Sequence, residues 1–373
     1  MKLGSFNNLE VTTDTSELIN GHISIIGASG SGKTYKSVDL QIQTAEAGAT
    51  VLAIDNWGTL SPDRMAPCFQ SRYNALLHDI DVHTKGIPAD LFTRVKYPDG
   101  TIEDSEDTVG SIVEMISRSV RMGSIQKSVL RTAVNNVLCN NTYETHGFRA
   151  IEEELSKMET SPARAVREKL TPLFSHNIFH PGNNMIISGK INVIRLSKFS
   201  GETQRVIAEI VCAHLWRMAL ADKFMEEPIY LFIDECQNMP CGKDSVLAQM
   251  LSEGRRFGIN LILATQFLEN SSNSTVQQRI TQCGLMLFFK PLANKIDQTA
   301  RMIDPTHKSD WVNVLTGLRK GEFVAVGPLR VNGQKNDCPL KVNGRIADAD
   351  KKYVVTSTGF IKYPEKTVNG VIE

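Results

Sequence analysis

The stretch Gly27-Ala28-Ser29-Gly30-Ser31-Gly32-Lys33-Thr34 fits the pattern G-x-x-x-x-G-K-[ST] and decides the fold. It follows an apolar run, His22–Ile26, and opens a helical pattern that continues to about Ala47. Its glycines let the backbone curl so that successive N–H groups face phosphate oxygens, and the helix N-terminus adds its positive dipole end. Lys33 is predicted to neutralise the β- and γ-phosphates of a nucleotide, and Thr34 to offer its hydroxyl to Mg²⁺. A glycine-rich turn that binds nothing is the alternative, which the matching strand, loop and helix disfavour.

A pair of acidic residues ends another apolar run. Ile229–Asp234 is predicted to be a buried strand that ends in a carboxylate, and Glu235 follows it directly. In an open α/β sheet, ligands gather at the carboxyl ends of the strands. Asp234 is therefore predicted to hold Mg²⁺, directly or through water, and Glu235 to polarise the attacking water. A solvated acidic turn is the alternative, and the phosphate-binding loop upstream disfavours it.

Three more polar residues follow in the next helix and strand. A helix predicted over about Asp244–Phe257 carries Arg255 and Arg256 near its end, and the strand Leu261–Thr265 is followed by Gln266. At the tip of an apolar strand, Gln266 is positioned to sense the γ-phosphate or its water. The arginines can serve the helix dipole alone. The functional alternative is that one of them reaches a neighbouring subunit's nucleotide as an arginine finger, worth ~10³-fold or more in rate.

Short apolar runs alternate with helix-length amphipathic stretches along most of the chain. This pattern is typical of a mostly parallel sheet covered by helices on both faces, so the predicted class is α/β. The predicted strands are His22–Ile26, Val51–Asp55, Ile191–Leu196, Ile229–Asp234, Leu261–Thr265, Leu285–Phe289 and Glu322–Val326.

The spacing of these elements suggests three regions. Residues 1–60 and 186–330 are assigned to one nucleotide-binding core, 61–185 to a helical insertion subdomain, and 331–373 to a C-terminal tail or arm. The helices predicted in the insertion are Asp107–Arg121, Ile125–Leu138, Ile151–Met158 and Pro162–Leu173. Basic residues recur there at helical spacing, which favours a solvated face over a surface for DNA or a partner; they are Arg118, Arg121, Lys127 and Arg131.

Composition excludes several classes of protein. Of 373 residues, 41% are hydrophobic and 22% charged, which argues against a disordered, collagen-like or coiled-coil chain. No apolar run approaches the ~18 residues of a membrane helix, and the N-terminus shows no export signal, so no membrane partner is expected. The 7 scattered cysteines fit reduced thiols in the cytoplasm. Basic and acidic residues balance at 41 each, so contact with DNA would need a local patch or a ring of subunits.

Together the motifs resemble the HerA/FtsK superfamily of ring-forming, DNA-translocating P-loop ATPases, and HerA more closely. The resemblance spans roughly residues 21 to 328 and rests on Gly27–Thr34, Asp234–Asn238, Glu253–Gly258, Leu263–Gln266 and Gly317–Gly327. It implies a RecA-like core with an additional strand and a catalytic glutamate, which binds ATP and Mg²⁺. It also implies a homohexamer on double-stranded DNA with nucleotide between subunits. In that assembly Gln266 would be the sensor and Arg255, in preference to Arg256, the finger acting in trans.

The N-terminus departs from the HerA pattern. HerA proteins typically carry an N-terminal β-barrel that docks a partner nuclease, whereas 26 residues precede Gly27 here. The sequence is therefore interpreted as a bare motor core. The predicted function is an ATP-hydrolysing ring that translocates on double-stranded DNA and serves DNA processing, mobile-element transfer or anti-phage defence with a partner protein. The alternative is a nucleotide-gated oligomeric scaffold that activates an effector, such as a nuclease, without moving along DNA.

An ABC-type ATPase is the nearest rival family, because Phe199–Val206 resembles the ABC signature. Such a protein would have a histidine where Gln266 stands, and a different loop in place of Cys236–Asn238. Ser200 is more simply predicted to be the N-cap of a helix that ends near Leu220. The ABC interpretation is therefore disfavoured.

Overall fold

The computed structural model describes residues 1–240, 245–266 and 275–345, without the side chains of 275–277, and the backbone of two strands at 353–356 and 359–362. The strands are β1 (Lys2–Phe6), β2 (Leu9–Thr13), β3 (Ile23–Ile26), β4 (Thr50–Asp55), β5 (Leu77–Asp81), β6 (Ile87–Pro88), β7 (Phe179–His180), β8 (Ile191–Arg195), β9 (Ile229–Ile233), β10 (Ile259–Thr265), β11 (Leu285–Phe289), β12 (Glu322–Val326), β13 (Leu329–Val331), β14 (Gln334–Asn336), β15 (Leu340–Asn343), β16 (Tyr353–Thr356) and β17 (Gly359–Lys362). The α-helices are α1 (Lys33–Glu46), α2 (Pro67–Leu76), α3 (Val82–Lys85), α4 (Ser105–Ser119), α5 (Ser124–Cys139), α6 (Tyr143–His146), α7 (Arg149–Lys157), α8 (Ser161–Ser175), α9 (Gly201–Leu220), α10 (Val246–Glu253), α11 (Thr275–Ile280), α12 (Ile296–Ile303) and α13 (Lys308–Thr316).

A thirteen-stranded sheet organises the protein, in the order β14-β13-β2-β1-β15-β12-β11-β3-β10-β9-β4-β8-β5. From β11 to β5 every pair of neighbours is parallel. Both β3 and β4 are buried along their whole length, as apolar strands between two layers of helices should be. The predicted α/β class and its parallel central sheet are confirmed, and all of the predicted strands are present.

Helices cover both faces of the parallel strands. In β4, Val51 and Ala53 belong to the core beneath α1 and α2, while Leu52 and Ile54 belong to the core beneath α9 and α10. This alternation follows from the twofold side-chain period of a strand. The hydroxyl of Ser200 accepts a hydrogen bond from the Thr203 N–H, so the N-cap predicted for α9 is present. Among the residues that the structure describes, no helix is long and apolar enough to cross a membrane.

Residues 61–185 contain both predicted and unpredicted elements. The helices α4, α5, α7 and α8 pack against one another, and α4 also packs against α9. They correspond to the helices predicted in the insertion. The same stretch contributes β5, which pairs with β8 at the edge of the sheet and was not predicted. Ile80 is the buried residue of β5, and so sparse an apolar pattern does not identify a strand.

Six antiparallel strands extend the sheet beyond β11, and of these the sequence predicted β12 alone. The other strands of this extension bury few apolar side chains, such as Leu3, Val11 and Val342. The extension joins the N-terminal hairpin to residues 329–343, so part of the predicted tail belongs to the sheet. The rest of the tail beyond 345 lies outside the described residues, apart from the β16–β17 backbone. Asp244, the predicted start of α10, also lies outside them.

Candidate active site

The phosphate-binding loop lies at the carboxyl edge of the parallel strands, between β3 and α1. The Gly27 N–H donates to the Thr265 carbonyl at 3.2 Å, and the Ala28 N–H donates to the Lys290 carbonyl at 2.9 Å, so β10 and β11 hold the loop from both sides. Gly32 has φ +110°, and a Cβ there would lie 3.0 Å from the Gly321 nitrogen. A side chain at Gly32 would therefore be strained and would press against the turn before β12.

The Lys33 side chain folds back onto the loop. Its ammonium donates to the carbonyls of Gly27 at 2.7 Å and Ala28 at 3.2 Å. Burial lowers the pKa of Lys33, and the charges of Glu235 and Asp234 oppose that shift. Thr34 follows in the first turn of α1, where its side chain is exposed.

Asp234 and Glu235 follow β9 at the same edge. Burial and the Glu235 charge raise the pKa of Asp234 to about 6, against the opposing charge of Lys33. The backbone at Glu235 is left-handed, with φ +50°, and its N–H donates to the Asp234 carboxylate at 2.9 Å. A non-glycine residue in this conformation is uncommon, and such strain is concentrated at functional sites.

The Glu235 carboxylate is held by two glutamine amides. Gln266 Nε2 donates to Glu235 Oε1 at 2.7 Å, and Gln237 Nε2 donates to Glu235 Oε2 at 2.6 Å. The Thr265 hydroxyl in turn donates to Gln237 Oε1 at 2.8 Å, which fixes the orientation of that amide. Gln266 was predicted as a site residue and Gln237 was not. Its position two residues after Glu235 was the available signal.

Asp55 is a third carboxylate at this edge, and the sequence did not predict it as a site residue. Because Ile54 of β4 pairs with Ile233 of β9, Asp55 is adjacent to Asp234, and its charge helps to raise the Asp234 pKa. The Asp55 carboxylate accepts N–H groups of residues 57, 59 and 60 at 3.0–3.3 Å. Asp55 therefore holds the turn after β4 and adds negative charge. The available signal was that the predicted strand Val51–Asp55 ends in an aspartate, as the predicted strand Ile229–Asp234 does.

Arg255 and Arg256 lie in the 3₁₀ turn Gly254–Phe257 before β10. This turn is at the amino ends of the parallel strands, called here the amino edge, opposite the carboxyl edge that holds the loop. Both are exposed; Arg255 donates to the Ile19 carbonyl, and the Arg256 guanidinium lies 5.5 Å from the centre of the Phe257 ring. The seven residues of β10 separate them from Gln266, a distance of ~20 Å at ~3.3 Å per residue. The structure therefore brings together Gly27–Thr34, Asp234, Glu235 and Gln266, and it does not bring the arginines to them.

The oxygen groups at the carboxyl edge suit a hard cation. A threonine hydroxyl and an aspartate, with phosphate oxygens and water, are typical ligands of Mg²⁺. No cluster of three or more His, Cys, Asp or Glu side chains placed to bind a metal occurs within the described parts of the chain. Thr34 and Asp234 thus fit a cation that arrives with a nucleotide better than one held by the protein alone.

Comparison with known proteins places this geometry in a family. The family model described as "Helicase HerA, central domain" matches residues 1–215, more than half of the chain. That match contains the phosphate-binding loop and ends before β9. None of the curated proteins matches the chain significantly.

Solved structures share the fold at low sequence identity. VirB4 of Thermoanaerobacter pseudethanolicus superposes with a TM-score of 0.67 at 14% identity, over 94% of this chain and 97% of that one. The bacterial conjugative coupling protein TrwB gives 0.55 at 14% identity in an unbound form, over 86% and 84% of the two chains. TrwB in complex with the ATP analogue ADPNP gives 0.57 at 12% identity, over 87% and 85%.

The expected RecA-like P-loop fold and the resemblance to HerA are both confirmed. The loop, the acidic pair and the glutamine that follows β10 meet at one edge of a fold shared with VirB4 and TrwB. The family model matches more than half of the chain, and the match accompanies this geometry. The chain therefore belongs to the family of the HerA helicase central domain and is a P-loop ATPase of the HerA type.

Proposed function

We propose that this chain is an ATP-driven, ring-forming motor that binds and translocates on double-stranded DNA. ATP and Mg²⁺ are the proposed substrate and cofactor, and the complexes of TrwB with ADPNP and with ADP and Mg²⁺ support this choice. Lys33 would bind the β- and γ-phosphates, while Thr34 and Asp234 would hold Mg²⁺. Bound Mg²⁺ would neutralise charge on the phosphates.

Glu235 is proposed as the group that polarises the attacking water. The carboxylate accepts hydrogen bonds from Gln237 and Gln266, which hold it at the same ends of the strands as the proposed phosphate site. Gln266 is also placed to sense whether the γ-phosphate is present. Phosphoryl transfer depends mainly on positioning and on stabilising charge. The hydrogen-bonded network at the carboxyl edge would supply the positioning.

The observation that carries the ring proposal is the separation of the arginines from this network. Arg255 and Arg256 are exposed at the amino edge, ~20 Å from the carboxyl edge of the same subunit. In a closed ring with head-to-tail interfaces, one edge of each subunit faces the other edge of its neighbour. Arg255 would then reach the nucleotide of the adjacent subunit, which makes a homo-oligomer, proposed as a hexamer, part of the active site.

DNA binding is proposed to arise from the ring. The chain has no net charge. Three of the four basic residues of the insertion face are ion-paired within the subunit, since Arg118 and Lys127 pair with Glu114 and Arg131 pairs with Glu106. This pairing supports the prediction that these basic residues form a solvated face and not a surface for DNA or a partner. A ring repeats every remaining basic group around its axis, and its affinity for DNA should fall steeply with salt. The proposed role is DNA processing, mobile-element transfer or anti-phage defence, with a nuclease or another effector as partner.

Steady-state ATP hydrolysis with and without linear double-stranded DNA tests this proposal. We expect DNA to stimulate turnover at low salt, and we expect the stimulation to fall at least ~10-fold between 50 and 200 mM salt, because several phosphate contacts are lost together. Hydrolysis that ignores DNA at both salt concentrations would contradict the DNA motor. It would favour the nucleotide-gated scaffold, in which the ring activates an effector without moving.

The glutamine pair gives a prediction about positioning. Replacing Gln237 with alanine removes the hydrogen bond to Glu235 Oε2 and the one that Gln237 accepts from the Thr265 hydroxyl. We expect kcat to fall ~10-fold with little change in KM, because a hydrogen bond to a charged group is worth ~1.5–3 kcal/mol. Steady-state kinetics with Asn238→Ala as control checks it, since Asn238 is exposed beside Gln237. Equal kcat values for the two variants would show that Gln237 has no positioning role.

A further inference from the structure

A cavity of about 330 Å³ lies beside α9, on the face of the sheet opposite α1. Its floor is one face of α9, which contributes His214, Arg217 and Met218. Its walls are the segments 88–96 and 182–186. The volume is at the lower end of the ~300–1,000 Å³ of small-molecule sites. None of the residues that form the nucleotide site lines this cavity.

Hydrogen bonds fix the walls of the cavity. The Arg217 guanidinium donates to the carbonyls of Leu91 and Thr93, both at 2.9 Å, and also pairs with the buried Glu103 carboxylate. Across the cavity, the Gly182 N–H donates to Asp90 Oδ1 at 2.7 Å and so ties one wall to the other. These contacts hold the cavity walls together, and the charge of Arg217 is neutralised within the fold.

His214 lines this cavity, and its side chain makes no hydrogen bond with any residue that the structure describes. The side chain is 7% exposed, and its Nδ1 atom is buried with no hydrogen-bond partner among the described residues. Burial and the nearby Arg217 charge lower the pKa of His214 to about 3, so the imidazole is neutral near pH 7. His214 is therefore a neutral imidazole in the cavity lining that is free to hydrogen-bond to a bound group.

The mouth of the cavity is basic and its interior is largely apolar. Arg94, Lys96 and Lys223 line it, are exposed, and form no ion pair with any residue the structure describes. Asp90 is the acidic lining residue, and one of its oxygens is taken by Gly182. The apolar lining includes Met185, Ile186 and Met218. A ligand with a negative group at one end and an apolar body matches both features.

We propose that this cavity binds a small organic anion. Its apolar body would lie against Met185 and Met218, a hydroxyl or amide group would hydrogen-bond to His214, and its anionic group would meet the cations at the mouth. This site is separate from the nucleotide site and does not depend on the function proposed above.

Ligand-observed NMR titration of the full chain, without nucleotide, tests the proposal. The probe is 3-(4-hydroxyphenyl)propionate, compared with its uncharged amide and with 3-phenylpropionate, which lacks the hydroxyl. We expect saturable binding of the probe, ~2–5-fold weaker binding of the amide because an exposed charge interaction is lost, and ~3–10-fold weaker binding of 3-phenylpropionate because a hydrogen bond is lost.

Four variants connect these differences to the cavity. His214→Phe keeps a ring of similar size. This variant should bind the hydroxyl-bearing probe no more tightly than it binds 3-phenylpropionate. Lys96→Gln should weaken binding of the probe ~2–5-fold. Lys85 is an exposed lysine outside the cavity, so Lys85→Gln should leave this binding unchanged. Lys33→Ala should leave probe binding unchanged, which distinguishes the cavity from the phosphate-binding loop. Absence of saturable binding, or equal affinities in His214→Phe and the unmodified protein for both ring compounds, would overturn the proposal.

Discussion

Glu235→Gln is expected to reduce ATP turnover by ~10³-fold, within the ~10²–10⁴-fold that a positioned general base contributes. ATP should still bind, because Lys33 and the loop backbone are unchanged. The substitution removes the negative charge that polarises water. It also disturbs the glutamine pair, since one of the two oxygens that accept from Gln237 and Gln266 becomes an NH₂ group.

The hydrogen bonds indicate which of these contacts survives. Gln237 is fixed by the Thr265 hydroxyl, so it continues to present its NH₂ group. Gln266 has no such bond among the described residues, and its amide can turn to accept from the new NH₂ group. The variant should therefore keep an ordered site and hold ATP without hydrolysing it.

Steady-state hydrolysis and filter binding of radiolabelled ATP together check this expectation. The matched control is Glu226→Gln, an exposed glutamate before β9 and so at the opposite edge of the sheet. We expect the control to hydrolyse ATP like the unmodified protein. If Glu235→Gln turned over ATP within a few fold of the control, Glu235 could not be the group that activates water. If it lost ATP binding as well, its role would be structural.

The parallel strands could be predicted from sequence because each is a short apolar run, and burial on both faces requires that composition. The antiparallel extension could not, because a strand such as β1 buries mainly Leu3 and leaves its other residues partly exposed. Its pairing with β15 joins residues more than 300 positions apart, Ser5 with Asn343, and no local pattern encodes such a contact.

The candidate site shows the same limit. Asp234 and Gln266 could be predicted because polar residues that end apolar strands must meet at one edge of the sheet. The partners of Glu235 could not, because they depend on side-chain rotamers and on the left-handed turn at Glu235 itself. Asp55 had the same strand-end signal as Asp234 and was overlooked. The distance of Arg255 from the loop required the strand order and direction, which only the structure provides.

Arg255→Ala is expected to leave ATP binding intact and to reduce turnover ~10³-fold, the lower end of the effect of an arginine finger. The reason is geometric: Arg255 is exposed at the amino edge, where a subunit can meet the carboxyl edge of its neighbour. Arg256→Ala is the matched control, since Arg256 is the adjacent exposed arginine and lies against the Phe257 ring. If Arg256→Ala stopped turnover and Arg255→Ala did not, the finger would be Arg256. If neither mattered, the proposal of a finger in trans would fail.

Mixing two inactive variants separates action in trans from action within one subunit. A subunit with Arg255→Ala keeps Glu235, and a subunit with Glu235→Gln keeps Arg255. In a head-to-tail ring assembled from equal amounts of both, roughly a quarter of the interfaces would pair an intact Glu235 with an intact Arg255. We therefore expect ATP hydrolysis to reappear on mixing. If Arg255 acted on the nucleotide of its own subunit, every site would contain one defect and the mixture would stay inactive, because no arrangement of these subunits places both groups on one chain.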